Sequence, residues 1–130
     1  MKKLDEMEKE FGAFYPRGNM VVEFAAEKNA KLVLADLKAQ GTMFDDILFV
    51  TPQEMIDFAE INITQAGPIA NLGTSVTTLQ NFLNAARTGS WFLVIPTPDD
   101  AVADQVALVL ARVPHGLAQR YHLLAIEDVP

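Results

Sequence analysis

The segment SWFLVIP (90–96) sets apolar side chains on four consecutive positions, Phe92, Leu93, Val94 and Ile95. Successive side chains of a strand point to opposite faces, so a strand of this kind must be buried on both. Three other segments share the property. GNMVVEFAA (18–26) has Val21 beside Val22, DDILFV (45–50) has Leu48, Phe49 and Val50 in a row, and YHLLAIE (121–127) has Leu123 beside Leu124. β-Branched and aromatic residues gather in each, which favours strands. Whatever sheet they form, both of its faces need cover, from helices of this chain or from a second subunit.

Between these runs the period changes to that of helices. Ala30, Val33, Leu34 and Leu37 follow the i, i+3, i+4, i+7 spacing of one helix face. Gly41 is placed to end that helix in the left-handed conformation. TPQE (51–54) has the form of a helix start, with Thr51 as cap, Pro52 in the first turn and Glu54 completing a capping box. Met55, Phe58 and Ala59 line one face of this helix, which is expected to end near Ala66 or Gly67. Val76, Leu79, Phe82, Leu83 and Ala86 form the next stripe, closed by Gly89. TPDD (97–100) repeats the cap-then-proline device before Val102, Val106, Val109, Leu110 and Val113, and PHG (114–116) is the stop.

The order is β-α-β, two helices, then β-α-β, within a single domain. Residues 1–17 form an N-terminal arm, 18–50 the first β-α-β unit, 52–88 a helical insert and 90–127 the second unit. The two units look like a degenerate repeat: at an offset of 72 residues Val22 matches Val94, Ala30 matches Val102, Leu34 matches Val106 and Leu37 matches Val109. Two such halves with right-handed crossovers give an α+β fold of ferredoxin-like type, a four-stranded antiparallel sheet with helices. Here a helical hairpin is inserted between the halves.

FYPRGNMVVEF (14–24), followed by a β-α-β unit, a helical insert and a second unit ending in HLLAIED (122–128), resembles small bacterial proteins of ferredoxin-like fold. It is similar to the general-stress-protein group, in which an aromatic-Pro-Arg-Gly-like lead runs into the first strand. The helical insert departs from that simpler pattern. The resemblance implies the fold, leaves function open and brings no catalytic residues with it.

The formal charge is −7, unevenly spread. All six lysines fall at or before Lys38, and from Ala39 to Ala86 there is no Lys or Arg, while Asp45, Asp46, Glu54, Asp57 and Glu60 are acidic. Nucleic acid needs a patch of basic side chains to replace phosphate counterions, so it is not an expected partner. The chain has no cysteine, which removes disulfides, thiolate metal sites and a cysteine nucleophile. MKKLDEMEKEF at the start lacks the apolar run of a secretory signal. No segment approaches the roughly 20 apolar residues that span a bilayer. The expectation is a cytoplasmic protein with no membrane contact.

Few residues suggest chemistry. QAGPIANLGTS (65–75) superficially resembles a phosphate-binding loop, but five residues separate Gly67 from Gly73 and Thr74 stands at the lysine position. It also joins helix to helix, where Gly67, Pro68 and Thr74 or Ser75 serve as stop and cap. His115 and His122 are the only histidines, and no acidic cluster with ligand spacing sits beside either to complete the roughly three or four ligands of a zinc site. Neither metal nor cofactor is expected. Trp91 at a strand start reads as core or interface. Asp45–Asp46 and Asp99–Asp100 read as solvated or dipole-complementing pairs.

ARVPHGLAQRYH (111–122) is the most basic stretch of an acidic chain. Arg112, His115, Arg120 and His122 fall there, and Tyr15 and Arg17 lead into the first strand, which neighbours the last in a ferredoxin-like sheet. Together they are candidates for a pocket that takes a small anionic ligand, arginine reading a carboxylate or phosphate. The functional expectation is a non-enzymatic oligomeric domain, a homodimer by the two-faced sheet, that acts by binding a protein or small ligand. The alternative is a cofactorless enzyme of the dimeric α/β-barrel kind, with sheets packed face to face around a cleft.

Overall fold

The computed structural model describes residues 4, 9–10, 13–14, 17–65, 74–122 and 125–130. Two short strands, β1 (Lys9–Glu10) and β2 (Ala13–Phe14), pair with each other, and β2 lies against the helical hairpin described below. The main sheet contains β3 (Asn19–Phe24), β4 (Leu48–Val50), β5 (Trp91–Pro96), β6 (Ala118–Tyr121) and β7 (Ile126–Asp128). Its spatial order is β4-β5-β3-β6-β7, antiparallel throughout. The helices are α1 (Glu27–Gln40), α2 (Pro52–Gln65), α3 (Thr74–Arg87) and α4 (Asp100–Leu110), with a short 3-10 turn at Thr42–Phe44. The class is α+β.

The sheet has five strands, where four were expected. The difference lies at the C-terminal end, where one strand was expected across 121–127. The chain instead leaves β6 after Tyr121 and returns as β7, with Gln119 opposite Asp128 and Tyr121 opposite Ile126. The His122 N–H donates to the Ala125 carbonyl at 2.8 Å and closes the turn. Leu123 and Leu124, which made the segment look like a single strand, lie outside the described residues. β6 in turn begins earlier than expected, because the backbone of Gly116 and Leu117 already pairs with Glu23.

The two-sided burial of the strands is satisfied within the chain. Met20, Val22, Phe24, Leu93, Ile95 and Ala118 face a layer made by α1 and α4, where Ala30, Val33, Leu37, Val106, Val109 and Leu110 are buried. Val21, Leu48, Val50, Phe92, Val94 and Tyr121 face the other way, onto Met55, Phe58 and Ala59 of α2 and Leu79, Phe82, Leu83 and Ala86 of α3. Alternation along each strand therefore sorts side chains between two helix layers. The second sheet face, from which a subunit partner was argued, is covered by the chain's own hairpin. Trp91 packs with Phe49 on the α1–α4 side, ring centroids 5.5 Å apart, and lies partly buried against that core.

The helix boundaries follow local chemistry, with three corrections. The Thr51–Glu54 capping box forms: Glu54 N–H donates to Thr51 Oγ1 at 3.1 Å, and Thr51 N–H to Glu54 Oε1 at 2.9 Å. Gly41 follows α1 with φ 162°, extended rather than left-handed, so any residue could hold that conformation. Thr97 does not cap α4. It is buried at the end of β5, and Asp99 caps the helix by accepting from Val102 N–H at 2.9 Å. α4 also ends at Leu110, before the PHG stop, through a tight turn in which Arg112 N–H bonds Val109 O and Val113 N–H bonds Leu110 O. No helix among the described residues is long and apolar enough to cross a membrane.

Candidate functional site

β3 and β6 are neighbours, as the expected topology requires, and this pairing sends the candidate residues to opposite ends of the sheet. Arg120 sits opposite Met20, near the start of β3, while Gly116 and Leu117 pair with Glu23 near its far end. From Gly18 to Glu23 is five strand residues, roughly 17 Å at ~3.3 Å per residue. Arg17, Arg120 and His122 thus lie at one end, and Arg112 and His115 at the other. The single six-residue pocket is not assembled in that form. Tyr15 lies outside the described residues, as does the 66–73 stretch between α2 and α3.

At the first end the cations face carboxylates. The Arg120 guanidinium, its side chain only 10% exposed, donates to Asp100 Oδ1 at 2.6 Å and to the Thr97 carbonyl at 3.3 Å. That hydrogen bond first, and then the positive charge of Arg120, hold the Asp100 carboxyl below the ordinary aspartate value; His122 adds a smaller pull in the same direction. His122 Nε2 lies 2.8 Å from Glu127 Oε1 across the β6–β7 turn. Arg17 is exposed beside Gly18, whose N–H and C=O are tied to Tyr121 and Thr97. The arrangement fastens the start of α4 and the end of β5 to β6.

At the other end a concave site is built around Glu23. α3 closes with Gly89 in the left-handed region, φ 100°, and the Ser90 N–H turning back to Ala85 O at 3.1 Å. That turn places Ser90, which is buried, so that its Oγ donates to Glu23 Oε2 at 2.8 Å. From the opposite side the Leu117 N–H donates to Glu23 Oε1 at 3.2 Å. Gly116 N–H donates to the Glu23 carbonyl at 2.8 Å, and Glu23 N–H to the Leu117 carbonyl at 2.7 Å. The carboxylate is pinned in place from two elements.

Next to it lies a cleft of about 190 Å³, lined by Glu23, Ala25, Asn29, Pro114, His115 and Gly116. It lies between the start of α1 and the turn leading into β6. His115 Nδ1 lies 2.9 Å from the Val113 carbonyl. A carbonyl oxygen only accepts, so Nδ1 carries the hydrogen, and in the neutral ring Nε2 is left as an acceptor. Arg112, two residues before Pro114, pairs with Asp36 of α1 at 3.3 Å and does not line the cleft. A more open depression of about 420 Å³ shares Pro114 and His115 with the cleft and is lined further by Leu110, Ala111, Arg112 and Val113.

Of the expected residues only His115 lines the cleft. Glu23, Asn29 and Ser90 were missed. Glu23 carried a readable signal, as the one charged side chain in a mostly apolar strand. Asn29 and Ser90 carried none, since only the fold brings them to Glu23. Among the described residues no group of His, Cys, Asp and Glu is placed to hold a metal ion. No known protein family, curated protein or solved structure matches the chain.

Proposed function

We propose that the chain is a small binding domain of ferredoxin-like architecture, acting by binding and not by catalysis, whose ligand sits in the cleft beside Glu23 and His115. The observation that carries this is the pinned Glu23 carboxylate. A part-buried carboxylate held by Ser90 and the Leu117 N–H at the wall of a concave site is preorganised for a polar ligand. The architecture rests on strand order. Taking β3, β4, β5 and β6 as the four strands of the two halves, they lie in the order fourth, first, third, second, with β7 added at the edge. A stress-related or regulatory role is the setting in which we place such a binding domain.

The enzyme reading, with subunits packed sheet to sheet, needs a bare sheet face, and α2 and α3 lie over the one that was available. For the same reason a homodimer draws no support from that face; the sheet edges β4 and β7 are where copies of the chain would pair. Sedimentation velocity at micromolar concentration measures this directly. For binding, amide NMR of the labelled chain against small amines, carboxylates and phosphates is the test. Saturable shifts at Asn29, Gly116 and Leu117 are expected. Shifts confined to Gly18, Arg120 and His122 would move the site to the other end, and no saturable shift anywhere would end the binding reading.

A further inference from the structure

We infer that the cleft takes a small cationic group, a primary ammonium or guanidinium, with the Glu23 carboxylate as its counter-charge; this rests on the proposal that the cleft is a binding site. The polar side chains of the lining, Glu23, His115 and Asn29, supply acceptors and few donors. Glu23 offers about four lone-pair positions, of which Ser90 and the Leu117 N–H use two. His115 presents Nε2 as an acceptor, because Nδ1 is spent on Val113 O. Asn29 has an amide that serves either way. Pro114 has no N–H, and the Gly116 N–H is already given to the Glu23 carbonyl. Among the described residues no lysine or arginine lines the cleft, and Arg112, two residues before Pro114, is paired with Asp36. A ligand rich in N–H donors and positive charge is the chemical complement of such a surface, and its hydrogen bonds to Glu23 are charge-assisted.

Size narrows the class further. A volume of about 190 Å³ is roughly six times the ~30 Å³ share of one water molecule. That admits a head group of a few heavy atoms, the rest of a larger amine lying outside. The overall charge of −7 draws cations toward the protein without selecting this site. Selection comes from Glu23, which is held at a fixed position while the carboxylates along α2 are exposed.

The test uses the whole chain, labelled for amide NMR, titrated with methylammonium, guanidinium, acetate and phosphate at constant ionic strength. Methylammonium or guanidinium is expected to give saturable shifts at Asn29, Gly116 and Leu117. Glu23→Gln should weaken binding about tenfold or more, as expected for loss of a charge-assisted contact, and Asp46→Asn should leave it unchanged. Should Glu23→Gln fail to fold, His115→Ala removes one acceptor and is expected to weaken the same cation. Diffuse, non-saturating shifts with the cations, or equal weakening by Asp46→Asn, would overturn the inference. If acetate or phosphate saturates the same three amides and the cations do not, the ligand class is wrong and the cleft stands as a site. If no probe acts there, the binding proposal itself falls.

Discussion

Gly116 lies so close to Glu23 that a β-carbon on it would stand 2.5 Å from Oε1 and 2.8 Å from the carboxyl carbon. The contact is the physical reason for a glycine at this point of the turn. Any other residue would have to push aside a carboxylate that Ser90 and the Leu117 N–H hold from two directions.

Gly116→Ala is therefore expected to displace the Glu23 side chain and destabilise the fold, by a cost on the order of 1–3 kcal/mol for overpacking. Chemical denaturation measures the loss. Ser90→Ala in the Gly116→Ala background should cost less than in the wild type, because the Ser90–Glu23 bond is already weakened; full additivity would show the two contacts to be independent.

Arg120 and Asp100 supply a pH-dependent contribution. The Asp100 pKa is lowered in the folded chain, so its stabilisation is complete above the unfolded value near 3.8 and is lost as the pH falls through the folded one. Thermal melts of the wild type and Asp100→Asn should differ by a constant amount at neutral pH. The gap should narrow once the pH drops below about 4. Arg120→Ala should cost more than Asp100→Asn, since it also removes the bond to the Thr97 carbonyl. A gap that stays constant down to pH 2 would contradict the assignment.

The capping box at the start of α2 is a local device with a local cost. Thr51→Ala removes the acceptor for the Glu54 N–H and is expected to destabilise by about 1 kcal/mol. Thr51→Ser keeps the hydroxyl and should retain most of the stability in urea unfolding.

Phe82 of α3 meets Phe92 of β5 with ring centroids 5.6 Å apart, nearly edge to face, and both are fully buried. This pair joins the inserted hairpin to the sheet. Phe82→Ala should cost about 3–5 kcal/mol through lost transfer energy and a cavity. Because the hairpin is what covers that face, the variant should also expose apolar sheet surface, read as dye binding or concentration-dependent association. Folded, monomeric behaviour with little loss of stability would show that the hairpin contributes less cover than its packing implies.

Much of the architecture was legible because it follows from local rules. The consecutive apolar positions of β5 demanded burial on both sides, the period of α1 to α4 marked their inner faces, and Thr51 with Glu54 marked a start that formed as expected. The misplacements were also local. Thr97 has the residue type of a cap, yet the Asp99 side chain caps α4, and Gly41 follows the end of α1 where expected but with an extended backbone. The β6–β7 turn was hidden because apolar residues run straight through it.

The site was hardly legible, for a different reason. ARVPHGLAQRYH is one continuous basic segment in the sequence, and that continuity suggested one pocket. In the fold its residues run along a strand, so Arg120 and His122 end one strand length from His115 and meet different partners. The sequence by itself determined that the sheet is buried on both faces, because side-chain alternation leaves no choice for four apolar neighbours in a row. Only the tertiary structure decided that the chain's own hairpin supplies the second cover, and that Glu23, Ser90 and His115 meet at one corner. Such contacts join residues dozens of positions apart, and no periodicity or local propensity encodes them.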